Sequence, residues 1–241
     1  MKLVASSRLR IAVLVPSAVA LILTSVVFPQ SFRQSFRASS PFNKLEVKSL
    51  LGSIKVTAGD KKWITVKSDD DDEKDPLIKA TQGEGGLVTV DVSGSKPSKL
   101  EISVPSDTSI DLTCYNCEIT VKNATGPIRA VNTKGTIKLS SIRSSRVEAR
   151  SGKGSISFNG DFIPSGNYTF RSISGRIDAE IPSDSDVRLS ATCFRGGIGL
   201  GEFDWDFERQ SDQVVKAKRG KGLATLDLWT QEGTIQLHKR K

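Results

Sequence analysis

A chain of 241 residues holds one sizeable domain or two small ones. Hydrophobic residues make up 37% and aromatics 6%, against a Phe- and Trp-dense core; 20 glycines beside a single Met and a single His suit short strands and tight turns rather than helices. The 35 Lys and Arg against 27 acids give a net charge of +8, which fits a mixed-charge soluble surface and also allows attraction to anionic lipid, wall polymer or nucleic acid.

The N-terminus predicts the one helix. Lys2, Arg8 and Arg10 precede Ile11–Phe28, a run without charge. As a helix it spans roughly 27 Å, close to the hydrocarbon thickness of a bilayer. It reads as a signal peptide or a membrane anchor. "AVA" at 18–20 lies inside the run and no Ala-x-Ala site follows it, which favours an uncleaved anchor. Arg33 and Arg37 follow the run, so charge asymmetry orients it weakly. Either way the remainder is expected to be exported, periplasmic or extracellular. The chain thus divides into an anchor or signal segment (1–30), a linker (31–43), a repeat domain (44–238) and a basic tail (239–241).

The repeat domain announces itself by one recurring phrase: "IRAVNTKGTIKL" (128–139), "VEARSGKGSISF" (147–158), "YTFRSISGRIDA" (168–179) and "LDLWTQEGTIQL" (226–237). The template is apolar at 0 and +2, small or polar at +4, Gly at +7, Ile at +9 and apolar at +11. Copies start at Leu45, Ile110, Ile128, Val147, Tyr168 and Leu226, and another starts at Val187 with two extra residues. The glycines are Gly52, Gly135, Gly154, Gly175, Gly197 and Gly233, with Cys117 in place of one; the core isoleucines are Ile54, Ile119, Ile137, Ile156, Ile177, Ile198 and Ile235. Starts from 110 to 187 lie 18, 19, 21 and 19 apart. "ITVKS" (64–68) reads as half a further copy, and the gap from 187 to 226 as two copies, one degenerate.

Parity dictates the shape. On a strand, 0 and +2 share a face, as do +9 and +11, but an odd step separates the pairs. A corner between +4 and +8 lets both pairs face one interior, and Gly at +7 allows a close approach there. A unit this short cannot bury its apolar face alone, so the copies must stack. The predicted fold is all-β: a parallel, right-handed β-solenoid of about nine coils of 18–21 residues, preceded by one N-terminal apolar helix. The competing arrangement is an antiparallel sandwich.

The carriers "GSIKV", "GTIKL", "GSISF", "GRIDAEIP", "GGIGL" and "GTIQL" make residues 42–238 resemble the bacterial putative-adhesin family of β-strand repeats, a domain of unknown function. The resemblance implies a membrane-anchored or secreted, adhesin-like module and supplies no catalytic residues. Cys117 at a glycine position and the degenerate stretch near 203–225 depart from the pattern.

Other features bear on function. Cys114 and Cys117 form a CxxC that closes a small disulfide in an exported protein or serves as strand wall. No metal site is expected, since the only histidine, His238, sits near the C-terminus. "SDDDDEKDP" (68–76) reads as a solvated loop rather than a calcium loop. "EFDWDFER" (202–209) places Phe203, Trp205 and Phe207 on one face, as a contact strip or as a lid. Asp178 and Glu180 are glycosidase candidates by residue type alone. No cofactor loop and no aromatic-interleaved basic patch for nucleic acid occurs.

The sequence therefore predicts a non-enzymatic, membrane-tethered binding or structural module of the cell envelope. Its expected partners are the membrane through the N-terminal segment, and an envelope polymer or surface protein. The outer-face cations Lys138, Arg176 and Arg188 are expected to form the contact surface. The alternatives are a self-associating scaffold and a carbohydrate-active enzyme.

Overall fold

The computed structural model describes residues 32–38, 43–68 and 75–240. The apolar run in 1–30, the acids at 69–73 and residue 241 lie outside the described residues. Among those described, no helix is long and apolar enough to cross a membrane, and the helical element is a short 3-10 turn at Glu84–Gly86.

The chain runs through β1 (Phe32–Arg37), β2 (Lys44–Gly59), β3 (Trp63–Ser68), β4 (Leu77–Gln82), β5 (Leu87–Ser93) and β6 (Ser98–Pro105). Then come β7 (Ser109–Lys122), β8 (Ile128–Lys134), β9 (Ile137–Ile142), β10 (Arg146–Lys153), β11 (Ile156–Gly160), β12 (Asn167–Ser174) and β13 (Ile177–Pro182). Last are β14 (Val187–Gly199), β15 (Asp206–Gln210), β16 (Val214–Arg219) and β17 (Ala224–Arg240). The segment expected as linker contains β1, and the expected tail is largely the end of β17.

The strands of the parallel stack alternate buried and outward residues, as period-2 patterning demands. In β10, Val147, Ala149 and Ser151 point inward while Arg146, Glu148 and Arg150 point out. One face of the stack runs β5–β2–β7–β8–β10–β12–β17–β14, all parallel. The other runs β6–β2–β7–β9–β11–β13–β17–β14, also parallel. Because β7 and β17 turn the corner unbroken, they belong to both faces. The pairings β7–β8–β10–β12–β17–β13–β11–β9–β7 therefore close a ring, an 8-strand parallel barrel.

This corrects the expected fold. The right-handed solenoid of about nine coils in chain order gives way to a closed barrel whose end coils are out of order, while the apolar helix expected before it falls outside the described residues. β2 sits between β5/β6 and β7, although β5 and β6 follow it in sequence. β17 sits between β12/β13 and β14, although β14 precedes it. The half copy at Ile64 is not a coil: β3 runs antiparallel to β6, with β1 antiparallel outside it. The degenerate stretch after β14 folds as the antiparallel strands β15 and β16.

The reason lies in the edges. An outermost coil exposes unpaired backbone and needs covering. The antiparallel strands that cover β14 and β5/β6 are their near neighbours in sequence, so these coils lie outermost. β17 carries 17 residues of sustained strand and fills an interior place paired on both sides.

The core is a file of isoleucines. Ile54, Ile119, Ile137, Ile156, Ile177, Ile235 and Ile198 pair in succession. All are fully buried except Ile198 in the outermost coil, which is half-buried. Full burial of one such side chain stabilises by roughly 1.5–3 kcal/mol. Phe158, Phe162, Tyr168 and Phe170 cluster within it, with Phe158 and Phe170 centroids 5.0 Å apart.

The corner explains the glycines. Gly154 has φ +152°, and a Cβ there would collide with the Gly135 carbonyl oxygen of the coil beside it. Gly175 stands to Gly154 in the same way. The +4 side chains bond to the carbonyls of this bend. Asn132 Nδ2 donates to Gly135 O (2.8 Å), Ser172 Oγ to Gly154 O (3.1 Å) and Thr230 Oγ1 to Gly175 O (3.2 Å). Small polar residues recur at +4 because these carbonyls would otherwise be buried without donors.

Two corner positions differ. Cys114 and Cys117 are joined by a disulfide that spans the bend in β7. In β14 the corner glycine is Gly196, opposite Gly233, while Gly197 has open space where a Cβ would be. Leu189 pairs with Leu226 and Ile198 with Ile235, so this copy starts at Leu189 and needs no extra residues.

Candidate binding surface at the glycine corner

At the bend the chain presents its +5 residue outward, skipped by the pairing on either side. In spatial order these are Leu50, Tyr115, Thr133, Gly152, Ile173, Gln231 and Phe194. Leu50, Tyr115, Ile173 and Phe194 are 50%, 50%, 55% and 51% exposed. Half of the exposed large apolar side chains among the described residues thus fall on one edge. Such clustering marks an interaction surface, where scattered single residues would not.

Gly152 makes a notch in this edge. A Cβ there would press on the Thr133 carbonyl, so the site takes no side chain. The cavity is about 380 Å³, walled by Arg150, Arg171, Ile173 and Trp229, with Ser151 and Ser172 beneath. Trp229 is half-buried and meets Phe194 edge-on, centroids 6.1 Å apart.

Carboxylates hold the guanidinia in place. Glu148 accepts from Arg150 Nε at 2.6 Å, and Asp227 from Arg171 Nη2 at 3.1 Å. Each arginine keeps further N–H donors beyond those bonds. Lys134 lies 5.8 Å over the Tyr115 ring, and Lys153 is exposed on the same edge. Apolar rings, amide and hydroxyl groups and cations meet here in an open groove.

The residues singled out from sequence are placed elsewhere. Lys138, Arg176 and Arg188 are tied to Glu118, Asp178 and Glu208 at 2.6, 2.6 and 2.7 Å. Trp205 is buried and donates Nε1–H to Leu200 O; Phe203 packs beside it under Arg219, and Phe207 is exposed. The aromatic strip is therefore split, with Trp205 and Phe203 closing the β14 end. Asp178 also lies 3.4 Å from His238 Nε2, and Glu180 accepts from Asn159 Nδ2. No group of three or more metal-ligating side chains converges among the described residues.

Protonation behaviour follows local contacts. Lys48 bonds Glu46 and lowers its pKa, as Arg240 does for Asp161, Lys55 for Glu101 and Ser95 for Asp75. Burial raises the Tyr168 phenol and the Cys193 thiol. Tyr168 Oη donates to Ser144 O and accepts from Ile163 N, both at 2.8 Å.

The corner stripe was hidden from the sequence because +5 varies in type. Its only sequence signal is that Leu50, Tyr115, Ile173 and Phe194 each stand one residue past the small +4 position.

Fold and surface together define a repeat-built, all-β domain with an exposed apolar edge. The chain belongs to the Toastrack family (DUF4097), which matches residues 42–238. Among solved structures it is similar to a putative cell adhesion protein from Clostridium sporogenes, with 12% identity over 88% of this chain and 100% of the other, at a TM-score of 0.52. That likeness speaks to fold alone. A putative adhesin from Bacteroides fragilis has 12% identity over 88% and 97% of the two chains, at a TM-score of 0.30. A putative lipid binding protein from Parabacteroides distasonis has 10% identity over 88% and 97%, at 0.32. No curated relative of the chain is found.

Proposed function

We propose that the protein is a non-enzymatic, adhesin-like binding module of the cell envelope, exported and tethered by residues 1–30. Its ligand-facing surface is the glycine corner, and its ligand class is an anionic envelope polymer laid along that edge. The observation that carries this is the exposed file Leu50, Tyr115, Ile173 and Phe194 around the Gly152 notch. Apolar faces suit the flat sides of sugar rings, while Arg150, Arg171, Lys134 and Lys153 suit phosphate or carboxylate groups. The description of the Clostridium sporogenes neighbour as a putative cell adhesion protein agrees with such a role.

The test is binding to a panel of phosphate-bearing and uronate-bearing polysaccharides. The paired change Phe194→Ala and Trp229→Ala should weaken binding about tenfold or more, as loss of central aromatic contacts does. Lys138→Ala, on another face, should leave it unchanged. Equal binding by all three proteins would remove the corner from the function.

A further inference from the structure

A second surface lies on the outer face of β1 and β3. Alternation turns Phe32 and Phe36 toward the core, beside the buried Ile64 and Val66. The opposite parity brings Arg33 across from Lys67, Ser35 across from Thr65, and Arg37 across from Trp63. Of these, Arg33, Ser35, Trp63, Thr65 and Lys67 wall a groove of about 480 Å³ together with Lys61 and Ser103. Trp63 is 51% exposed although it sits beside a fully formed core. Among the described residues no carboxylate lines the groove. Glu101, opposite Lys67 across the sheet, is held by Lys55 at 2.9 Å. Lys61, Lys62 and Arg37 cluster at the end of β3 that carries Trp63, with Asp60 as the adjoining acid.

The groove's chemistry is that of a bilayer interface: an amphipathic indole with surrounding cations over a broad, shallow face. Chain length places it there. β1 starts at Phe32, and the uncharged run ends at Phe28, a gap of 32 − 28 = 4 positions. Four residues reach at most about 14 Å. We propose that the β1–β3 face lies against an anionic lipid surface, so that the barrel rests on the membrane by its N-terminal end. The proximity argument rests on the tethering reading above; the groove's chemistry does not.

The test uses the full chain reconstituted with vesicles of phosphatidylcholine, or of phosphatidylcholine with phosphatidylglycerol. Trp205→Phe and Trp229→Phe leave Trp63 as the sole indole. Its emission should shift to the blue, and be quenched by brominated lipid, with anionic vesicles only. Lys61→Glu with Lys67→Glu should abolish the shift while the chain still floats with the vesicles. In the unaltered protein, anionic vesicles should protect Lys61 and Lys67 from amine acylation, which reads the same contact without substitutions. If the chain floats with both vesicles but Trp63 and the lysines behave alike in each, the face is wrong and the tether stands. If the chain floats with anionic vesicles only and Trp63 shifts with them, the tethering reading fails and the face stands. A Trp63 shift with inorganic phosphate and no vesicles would make the groove a phosphate site and overturn the membrane assignment.

Discussion

The middle of the barrel and its two ends are built from the same phrase but obey different rules. From β8 to β13 chain order is spatial order, pairing is wholly parallel, and each bend has glycine at +7 with Asn or Ser at +4. At either end order is swapped, antiparallel strands intervene, and the phrase is altered. An interior coil is paired on both sides, so local repetition suffices there. A terminal coil has one free edge and must carry its own cover.

The sharpest way to break the comparison is at two glycines that look alike in sequence. Gly154→Ala would force a side chain into the Gly135 carbonyl at a φ that L residues rarely adopt. We expect destabilisation of about 3 kcal/mol or more by urea unfolding. Gly197→Ala, in the outermost coil, meets open space. It should stay within about 0.5 kcal/mol of the unaltered protein. Equal effects would mean that the corner column does not hold the middle together.

Next in size is the isoleucine file. Ile156→Ala leaves a cavity in a fully buried site and should cost about 2–5 kcal/mol. Ile198→Ala, half-buried at the end, should cost roughly half of that at most. A flat response along the file would indicate that the end coil is as tightly packed as the centre.

The same contrast accounts for what could be read from residues alone. Parity between 0/+2 and +9/+11 makes a bend necessary, and the recurrence of Ile137, Ile156 and Ile177 makes stacking in register necessary. Neither says which coil lies outermost. That is decided by cover: "EFDWDFER" and "VVKAKR" look like a worn-out repeat, yet they supply the lid residues Phe203 and Trp205 and the flanking strand β16. The pattern alone points to Gly197, but two adjacent glycines satisfy it equally, and pairing with Gly233 assigns the corner to Gly196. The corner stripe was illegible for a different reason. Side chains that point outward meet little packing demand, so Tyr115, Thr133 and Ile173 share a position without sharing a type.

The disulfide tests the boundary between regions. β7 is where the closed ring begins, and there Cys114–Cys117 replaces the glycine bend. Its loop is short, so the chain-entropy account gives about 2 kcal/mol. Cys114→Ser with Cys117→Ser should lower Tm by about 4–8 °C for a chain of this size. No change would show that β2 and β8 fix the bend without the bond. Tyr168→Phe removes a buried hydroxyl that bonds Ser144 and Ile163, and should cost about 1–2 kcal/mol.

The smallest effect joins the two regions. Arg240, at the end of β17, reaches Asp161 just beyond β11, while Arg143 bonds the other carboxylate oxygen at 2.9 Å. Arg240 first, then Arg143, lowers the Asp161 pKa below its ordinary 3.8. A lowered carboxyl contributes stability that is present above the unfolded value and lost as pH falls through the folded one. The carboxylate is partly exposed, so the contribution is at most about 1 kcal/mol after screening. Stability measured from pH 6 down to pH 2 should fall less steeply in Arg240→Gln than in the unaltered protein, the two curves converging once Asp161 is protonated. Parallel curves across that range would show that the last strand is held to the middle by its backbone pairing with β13 and not by this charge.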